Sequence, residues 1–303
     1  MLYDSKLSDF KRLDIDDRDL LAPFLLKAER QSCEFAFSNL FLWSGTYHPA
    51  WSFFNGHLYL LLQTEDILMF APGGLKGPTP DELIRVSDHV AEAGFSGSFD
   101  HVDAAWLEKN GDEAQKFFRI EQMNDSFAEY IYSVDALVNL HGAKLAKKKN
   151  LIHQFLNDYP GAAHEPVTQD NLAECLQLEE DWFHAQEHPD AVEVAHEYQA
   201  IQKLGQYANR LPVEGVLLRV DGRPVAFTMF SPIGPDIWTE HFEKTHYEYK
   251  GASQYICHLC AKALQGRAKW LNREQDLGIP GLRQAKQSYA PETLLQNYRL
   301  VRR

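Results

Sequence analysis

Two dipeptides constrain this chain more than any other feature. Asn55-Gly56 separates apolar runs at 51–54 and 57–62, and Asp221-Gly222 separates runs at 213–220 and 224–230. Both central residues of a two-residue hairpin turn need φ > 0, which Asn, Asp and Gly adopt at the least cost. Each dipeptide therefore predicts an antiparallel hairpin, one in each half of the chain. Around each hairpin the signals repeat: helices, the hairpin, a strand, a helix, a strand. Thr79-Pro80-Asp81-Glu82 starts the first late helix, with an N-cap, proline at N1 and acids in the first turn; Gly94 stops it. In the second half, apolar periodicity predicts a helix over 251–264, a strand over 268–271 and a further helix carrying Lys286. The order predicts an α+β chain duplicated in structure, with domains at 1–129 and 130–303.

Composition narrows the function classes. At 303 residues each half is long enough to bury a core. A formal net charge of −13 argues against a protein that coats nucleic acid or lies on an anionic membrane. It leaves room for a local basic patch, and Lys144, Lys147, Lys148 and Lys149 form one on a predicted helix over 142–159. The chain has no apolar run of the ~18 residues a membrane helix needs, and its first residues lack the form of a signal peptide, so a cytoplasmic address is expected. Cys257-His258-Leu259-Cys260 has the spacing of a redox or zinc motif, but it falls within a helix and no second pair exists; buried helix residues are expected. The histidines, among them His184, His188 and His196, do not fall at metal-ligand spacing, and no metal is predicted.

The densest chemistry lies between Trp238 and Tyr298. Glu240-His241-Phe242-Glu243-Lys244 closes one predicted strand. Gly251-Ala252-Ser253-Gln254 opens the helix after it. The next strand ends in Asn272-Arg273-Glu274-Gln275-Asp276-Leu277-Gly278, and Gly281-Leu282-Arg283-Gln284-Ala285-Lys286-Gln287-Ser288-Tyr289 with Pro291 follows. Charged groups at adjacent strand ends, beside helix N-termini, are where open sheets bind ligands.

These blocks resemble the C-terminal catalytic domain of bacterial phosphatidylglycerol lysyltransferases, and more closely a family of stand-alone relatives without an assigned function. An upstream block fits as well: Tyr130-x-Tyr132, then Leu140-x-Gly142-x-x-Leu145-x-x-Lys148-Lys149-Asn150, where the family pattern has Lys-Arg-Asn. The resemblance covers nearly the whole chain. It implies two tandem acyltransferase folds of the GCN5-related N-acetyltransferase (GNAT) type, each a curved mixed sheet flanked by helices. It also implies an aminoacyl group taken from charged tRNA as co-substrate, with no resident cofactor. The acceptor would be an amine or hydroxyl on a small molecule, a peptide or a lipid head group. Such a reaction needs donors for a developing oxyanion and a carboxylate for the ammonium of the amino acid. Glu240 and Asp276 are expected to bind that ammonium, Arg283 and Lys286 to hold a carboxylate, phosphate or oxyanion, and Tyr289 to relay a proton. Glu243, Lys244, Gln254, Asn272 and Glu274 complete the expected substrate contacts, and Lys147, Lys148 and Lys149 are expected to meet the tRNA acceptor arm.

Two alternatives remain at this level. One is transfer from acyl-coenzyme A, which the fold usually binds on a glycine-rich turn at a helix N-terminus. Here that turn reads Tyr247-Glu248-Tyr249-Lys250-Gly251, with one glycine and an adverse acid, so coenzyme A is weakly supported. The other is a cleft that binds a metabolite without chemistry. Some of the charges would then pair only with one another.

Overall fold

The structure, a computed structural model, describes residues 7–27, 32–71, 77–185 and 192–303. The chain divides into two compact units, Met1–Ala128 with Leu295–Arg303, and Glu129–Leu294.

In the first unit the strands are β1 (Lys11–Arg12), β2 (Pro49–Phe54), β3 (His57–Leu62), β4 (Ile67–Ala71), β5 (Phe99–Val102) and β6 (Phe118–Gln122). The helices are α1 (Arg18–Lys27), α2 (Phe37–Leu42), α3 (Ser44–Tyr47), α4 (Pro80–Glu92) and α5 (Ala104–Ala114). The second unit contains β7 (Glu129–Ser133), α6 (Val134–Asn139), α7 (Ala143–Asp158), β8 (Ala162–Pro166), α8 (Leu172–His184) and α9 (Val192–Tyr207). It continues with β9 (Glu214–Val220), β10 (Arg223–Pro232), β11 (Ile237–Thr245), α10 (Ala252–Leu264), β12 (Trp270–Asn272), α11 (Pro280–Gln287) and β13 (Thr293–Leu295). A final strand, β14 (Tyr298–Arg302), returns to the first sheet.

Both hairpins form where the dipeptides place them. Asn55 and Gly56 have φ of 50° and 80°, and Asp221 and Gly222 have 49° and 82°. Thr79 caps α4 in a reciprocal capping box with Glu82. Helices form over Pro80–Glu92, Ala143–Asp158, Ala252–Leu264 and Pro280–Gln287, where the sequence places them, and His188 lies outside the described residues. The first strand is two residues long, because Asp14 caps a 3-10 turn over Ile15–Asp17.

The two sheets share one plan. The first runs β1-β2-β3-β4-β5-β14-β6 and the second, read from the matching edge, β8-β9-β10-β11-β12-β7-β13. In each, a three-strand antiparallel meander is followed by a helix and a parallel strand: β4 to β5 through α4, and β11 to β12 through α10. The plan also shows where the sequence division at 129/130 needs correction. β14, assigned there to the second domain, lies between β5 and β6 of the first sheet. The physical reason is pairing: Leu300, fully buried, registers with Ile120 and Phe99 in the first core.

The second core packs α10 and α6 against one face of the β7–β12–β11–β10–β9 sheet, with Tyr132, Phe230, Trp238, Ile256, Leu264 and Leu271 at its centre. Helix α8 covers β10 and β11 and packs on α9. Cys257 and Cys260 are buried free thiols in this core, as expected. Gly251, which caps α10 at φ 91°, is required twice over. A Cβ there would lie 2.6 Å from the carbonyl oxygen of Leu151 and 2.9 Å from Phe155 Cβ, so α7 could not approach. Gly251→Ala is expected to cost about 2–3 kcal/mol, adding a left-handed backbone penalty to a clash. Gly222→Ala, with open space around it, should cost only the backbone part, about 1 kcal/mol. Parallel urea titrations of the two variants check this, and equal losses would refute the close-approach argument.

Candidate functional site

The site grows from an irregularity in β11. Phe230 registers with Glu240 and Met229 with Phe242, so His241 is an extra residue, a β-bulge. Strand alternation would put positions 240 and 243 on opposite faces. The bulge resets the phase and turns both Glu240 and Glu243 toward α10. The parallel pairing of β11 with β12 ends at Thr239↔Asn272, and β11 continues to Thr245. The strands part there, and Arg273, the first residue after β12, fills the opening.

Arg273 Nε donates to Glu240 at 2.5 Å and Nη2 donates to Glu243 at 2.7 Å. Glu240 also accepts from Thr228 Oγ1 at 2.8 Å, and Glu243 from Ser253 Oγ, in the first turn of α10, at 3.2 Å. The side chains of Glu240, Arg273 and Glu243 are 3%, 11% and 17% exposed, so the triad is largely desolvated. One cation faces two acids. Burial pushes the Glu243 carboxyl up to about 7, and the charge of Glu240 adds to the rise against the pull of Arg273. The guanidinium also approaches Tyr289, with its carbon 5.3 Å from the ring centroid, and Tyr132, at 5.9 Å. The two rings meet edge to face.

The segment after Arg273 is held from several sides. Asp276, fully buried, takes a two-pronged bond from Arg283 at 2.7 and 2.9 Å, the Tyr130 hydroxyl at 2.7 Å and the Gly278 N–H at 2.8 Å. These bonds, Arg283 foremost, hold its carboxyl down to about 2 despite burial. Lys286 Nζ donates to the carbonyls of Arg273 and Gln275, at 2.5 Å each, and Tyr132 donates to the Lys286 carbonyl at 2.7 Å. Asn272 bridges buried Glu129 and the Glu274 N–H. Glu274, at φ 57°, accepts from Thr239 and lies 3.4 Å from the bulged His241. Beyond this segment an open groove of ≈ 510 Å³ is lined by Gly278, Pro280, Arg283, Gln284, Gln287 and Ser288.

The residues expected from sequence therefore separate. Glu240, Glu243 and Tyr289 converge, and Gln254 stands partly buried in the first turn of α10 near Ser253. Asp276, Arg283, Lys286 and Asn272 are engaged in fixing the segment. A substrate ammonium at Asp276 would have to displace Arg283, so that expectation is replaced by a positioning role. Lys244 lies on the opposite face of β11: its Nζ donates to Glu197 at 2.7 Å, sits 3.6 Å from Glu179 and 3.3 Å from the Trp182 ring centroid. Lys147 and Lys149 are exposed on α7, but Lys148 is half-buried, with Nζ 4.1 Å from the Tyr289 ring centroid. Arg273, Ser253, Tyr130 and Tyr132 escaped selection as site residues. A lone arginine directly after an apolar strand was the available signal for the first; the tyrosines depend on long-range packing.

At the turn before α10, the Ala252 N–H donates to the Tyr249 carbonyl and the Tyr249 N–H to that of His246. These donors already have backbone partners, and α7 crowds Gly251.

Glu179, on the far face, has no exposed surface and neither carboxyl oxygen has a hydrogen-bond partner. Burial raises its carboxyl to about 7, with Lys244 opposing. A folded pKa above the unfolded one means stability is fully present below about 4.5 and is lost as pH rises through about 7. Glu179→Gln should therefore match wild type at pH 5 and exceed it at pH 8, by on the order of 2 kcal/mol. Thermal unfolding at the two pH values checks the slope; a variant less stable at pH 8 would show that the charge on Glu179 is stabilising.

Comparison with known proteins shows the family and the fold. The profile of the phosphatidylglycerol lysyltransferase C-terminal family matches residues 27–301. A conserved protein of unknown function from Bacteroides thetaiotaomicron has a similar structure, with TM-score 0.91 and 28% identity over 97% of this chain and 99% of that one. The C-terminal domain (DUF2156) of a lysylphosphatidylglycerol synthetase from Agrobacterium fabrum superposes with TM-score 0.66 over 95% of this chain and 92% of that one, at 13% identity, a likeness of fold. An uncharacterised protein of Mycoplasmoides gallisepticum is 24% identical over 203 residues, 65% of this chain, and the chain spans 61% of that relative's length. The two units share one plan, each a mixed sheet with flanking helices, and the Agrobacterium fabrum domain has the same fold. No helix among the described residues is long and apolar enough to cross a membrane.

Proposed function

The chain belongs to the phosphatidylglycerol lysyltransferase C-terminal family, and from that premise we propose that this acyltransferase takes an aminoacyl group from charged tRNA and gives it to an amine or hydroxyl acceptor. The observation that carries the reading is the desolvated Glu240–Arg273–Glu243 triad where β11 and β12 part. Glu240, with its oxygens taken by Arg273 and Thr228, anchors the arginine between the two acids. Glu243, with a carboxyl near neutrality, is the base. It accepts the proton of the acceptor as the acceptor heteroatom bonds to the ester carbonyl carbon. The tetrahedral adduct then collapses, the ester C–O bond breaks, and the ribose hydroxyl leaves with that proton. Arg273 holds both carboxylates in place, and Asp276, Arg283 and Lys286 fix the segment that carries it. Lys147 and Lys149, exposed on α7, are suited to phosphates of the acceptor arm, since such contacts need only positive charge on one face. The groove beside Arg283 is the acceptor entrance in this reading.

The test is binding of charged tRNA, uncharged tRNA and coenzyme A to the full chain at two salt concentrations, followed by transfer from labelled aminoacyl-tRNA to candidate amines. Binding that prefers charged tRNA and weakens with salt is expected. Binding of coenzyme A alone, or equal binding of charged and uncharged tRNA without transfer, would overturn the reading.

A further inference from the structure

The cations around the site differ in what holds them. Arg273 lies between two carboxylates, Arg283 against Asp276, Lys244 against Glu197, and Lys286 on two carbonyls. Lys148 stands apart. Its one polar contact among the described residues is the face of Tyr289. Arg273 approaches the same ring. Two like charges thus converge on one aromatic side chain; Arg273 is ion-paired with both acids, whereas Glu243 reaches Lys148 only through its charge. Burial foremost, with Arg273 and Lys147, pushes the Lys148 ammonium toward neutrality, against the opposing pull of Cys257 and Glu243. The Tyr289 hydroxyl is buried beside the Cys257 thiol, a weak acceptor, and has no nitrogen or oxygen partner. A half-buried ammonium without an ion-pair partner and a buried hydroxyl whose neighbour is only a weak thiol acceptor, joined by one ring, are complementary to an anionic oxygen.

We propose that Lys148 and Tyr289 form an anion subsite beside the Glu240–Arg273–Glu243 triad, which takes the oxygen that becomes negative on the transferred carbonyl. The identity of that oxygen rests on the acyl-transfer reading; the anion subsite itself does not. When the acceptor bonds to the ester carbon, the carbonyl π pair moves onto oxygen. The ammonium of Lys148 faces that charge until the pair returns and the ribose oxygen is expelled. Lys148 is then a catalytic residue, distinct from its neighbours Lys147 and Lys149, which would affect affinity and salt dependence.

Thermal unfolding with increasing inorganic phosphate tests the subsite without any activity. Phosphate should raise the Tm of wild type and of Lys148→Arg, and leave Lys148→Met unmoved. Without phosphate, Lys148→Met should melt within about 2 °C of wild type or above it, because a half-buried charge without an ion-pair partner is removed. With charged tRNA, Lys148→Met should lower kcat by about 10²-fold with KM nearly constant. Equal phosphate responses in wild type and Lys148→Met would sink the subsite, as would an unchanged kcat. If phosphate binds through Lys148 but no aminoacyl group is transferred, the subsite stands and the aminoacyl reading falls.

Discussion

Arg273→Met will lower the stability of the second unit by about 3–5 kcal/mol, roughly 6–20 °C in Tm for a unit of this size. The side chain is not simply one partner of a surface pair. It is the cation shared by Glu240 and Glu243, which the bulge at His241 turns to one face. Removing it leaves two carboxylates in a desolvated opening. They can escape only by binding protons, so the deficit should be largest at pH 8 and shrink toward pH 5. Arg273→Lys should recover part of the loss, since an ammonium restores charge but not the fork that reaches both acids. Melting curves of the three proteins at both pH values decide the matter. A methionine variant that melts within 1–2 °C of wild type at pH 8, roughly the shift of a 0.5 kcal/mol change, would show that the triad is not electrostatically coupled.

Glu243→Gln will reduce the transfer rate by about 10²–10⁴-fold while leaving the fold intact. The base must be ionised to accept a proton, and burial sets its carboxyl at about 7. Wild-type kcat/KM should therefore rise with pH through about 7 and level above it, and the variant should lose that limb. Stability moves the other way. The contribution of Glu243 is present below about 4.5 and is lost as pH rises through about 7, so wild type becomes less stable over the range in which it becomes more active. Glu243→Gln should flatten the activity curve and lessen the slope of the stability curve, leaving the part due to Glu179. Retention of the activity limb in Glu243→Gln would assign the base to another group.

The architecture was legible because its signals are local. Asn55-Gly56, Asp221-Gly222 and the Thr79 capping box act within a few residues, and each appears where the sequence places it. The short edge strand β8 was not legible, since Ala162-Ala163-His164-Glu165-Pro166 carries no apolar alternation and its Glu165 meets Arg219 of β9 only in space. The site was legible in part. Glu240 and Glu243 announce themselves as acids on a strand, but three-residue spacing puts them on one face only through a bulge, which no residue type signals. Asp276 and Arg283 invite a ligand role in sequence and acquire an internal one in space, because seven residues and a turn bring them together. Lys148 looks like its neighbours until the ring of Tyr289, far along the chain, is placed beneath it.

The position of β14 bears on how such a chain is made. Each sheet has a slot between a parallel strand and an outer one: β7 fills it in the second sheet and β14 in the first. β7 directly follows β6, yet it serves the other sheet. During synthesis, residues 129–294 emerge with every strand of their sheet in hand. The first unit emerges earlier but waits, with β5 and β6 unjoined, until residues 298–302 arrive. The half translated first is therefore the half completed last, and a chain truncated before β14 would keep every strand of the second sheet while leaving the first open between β5 and β6.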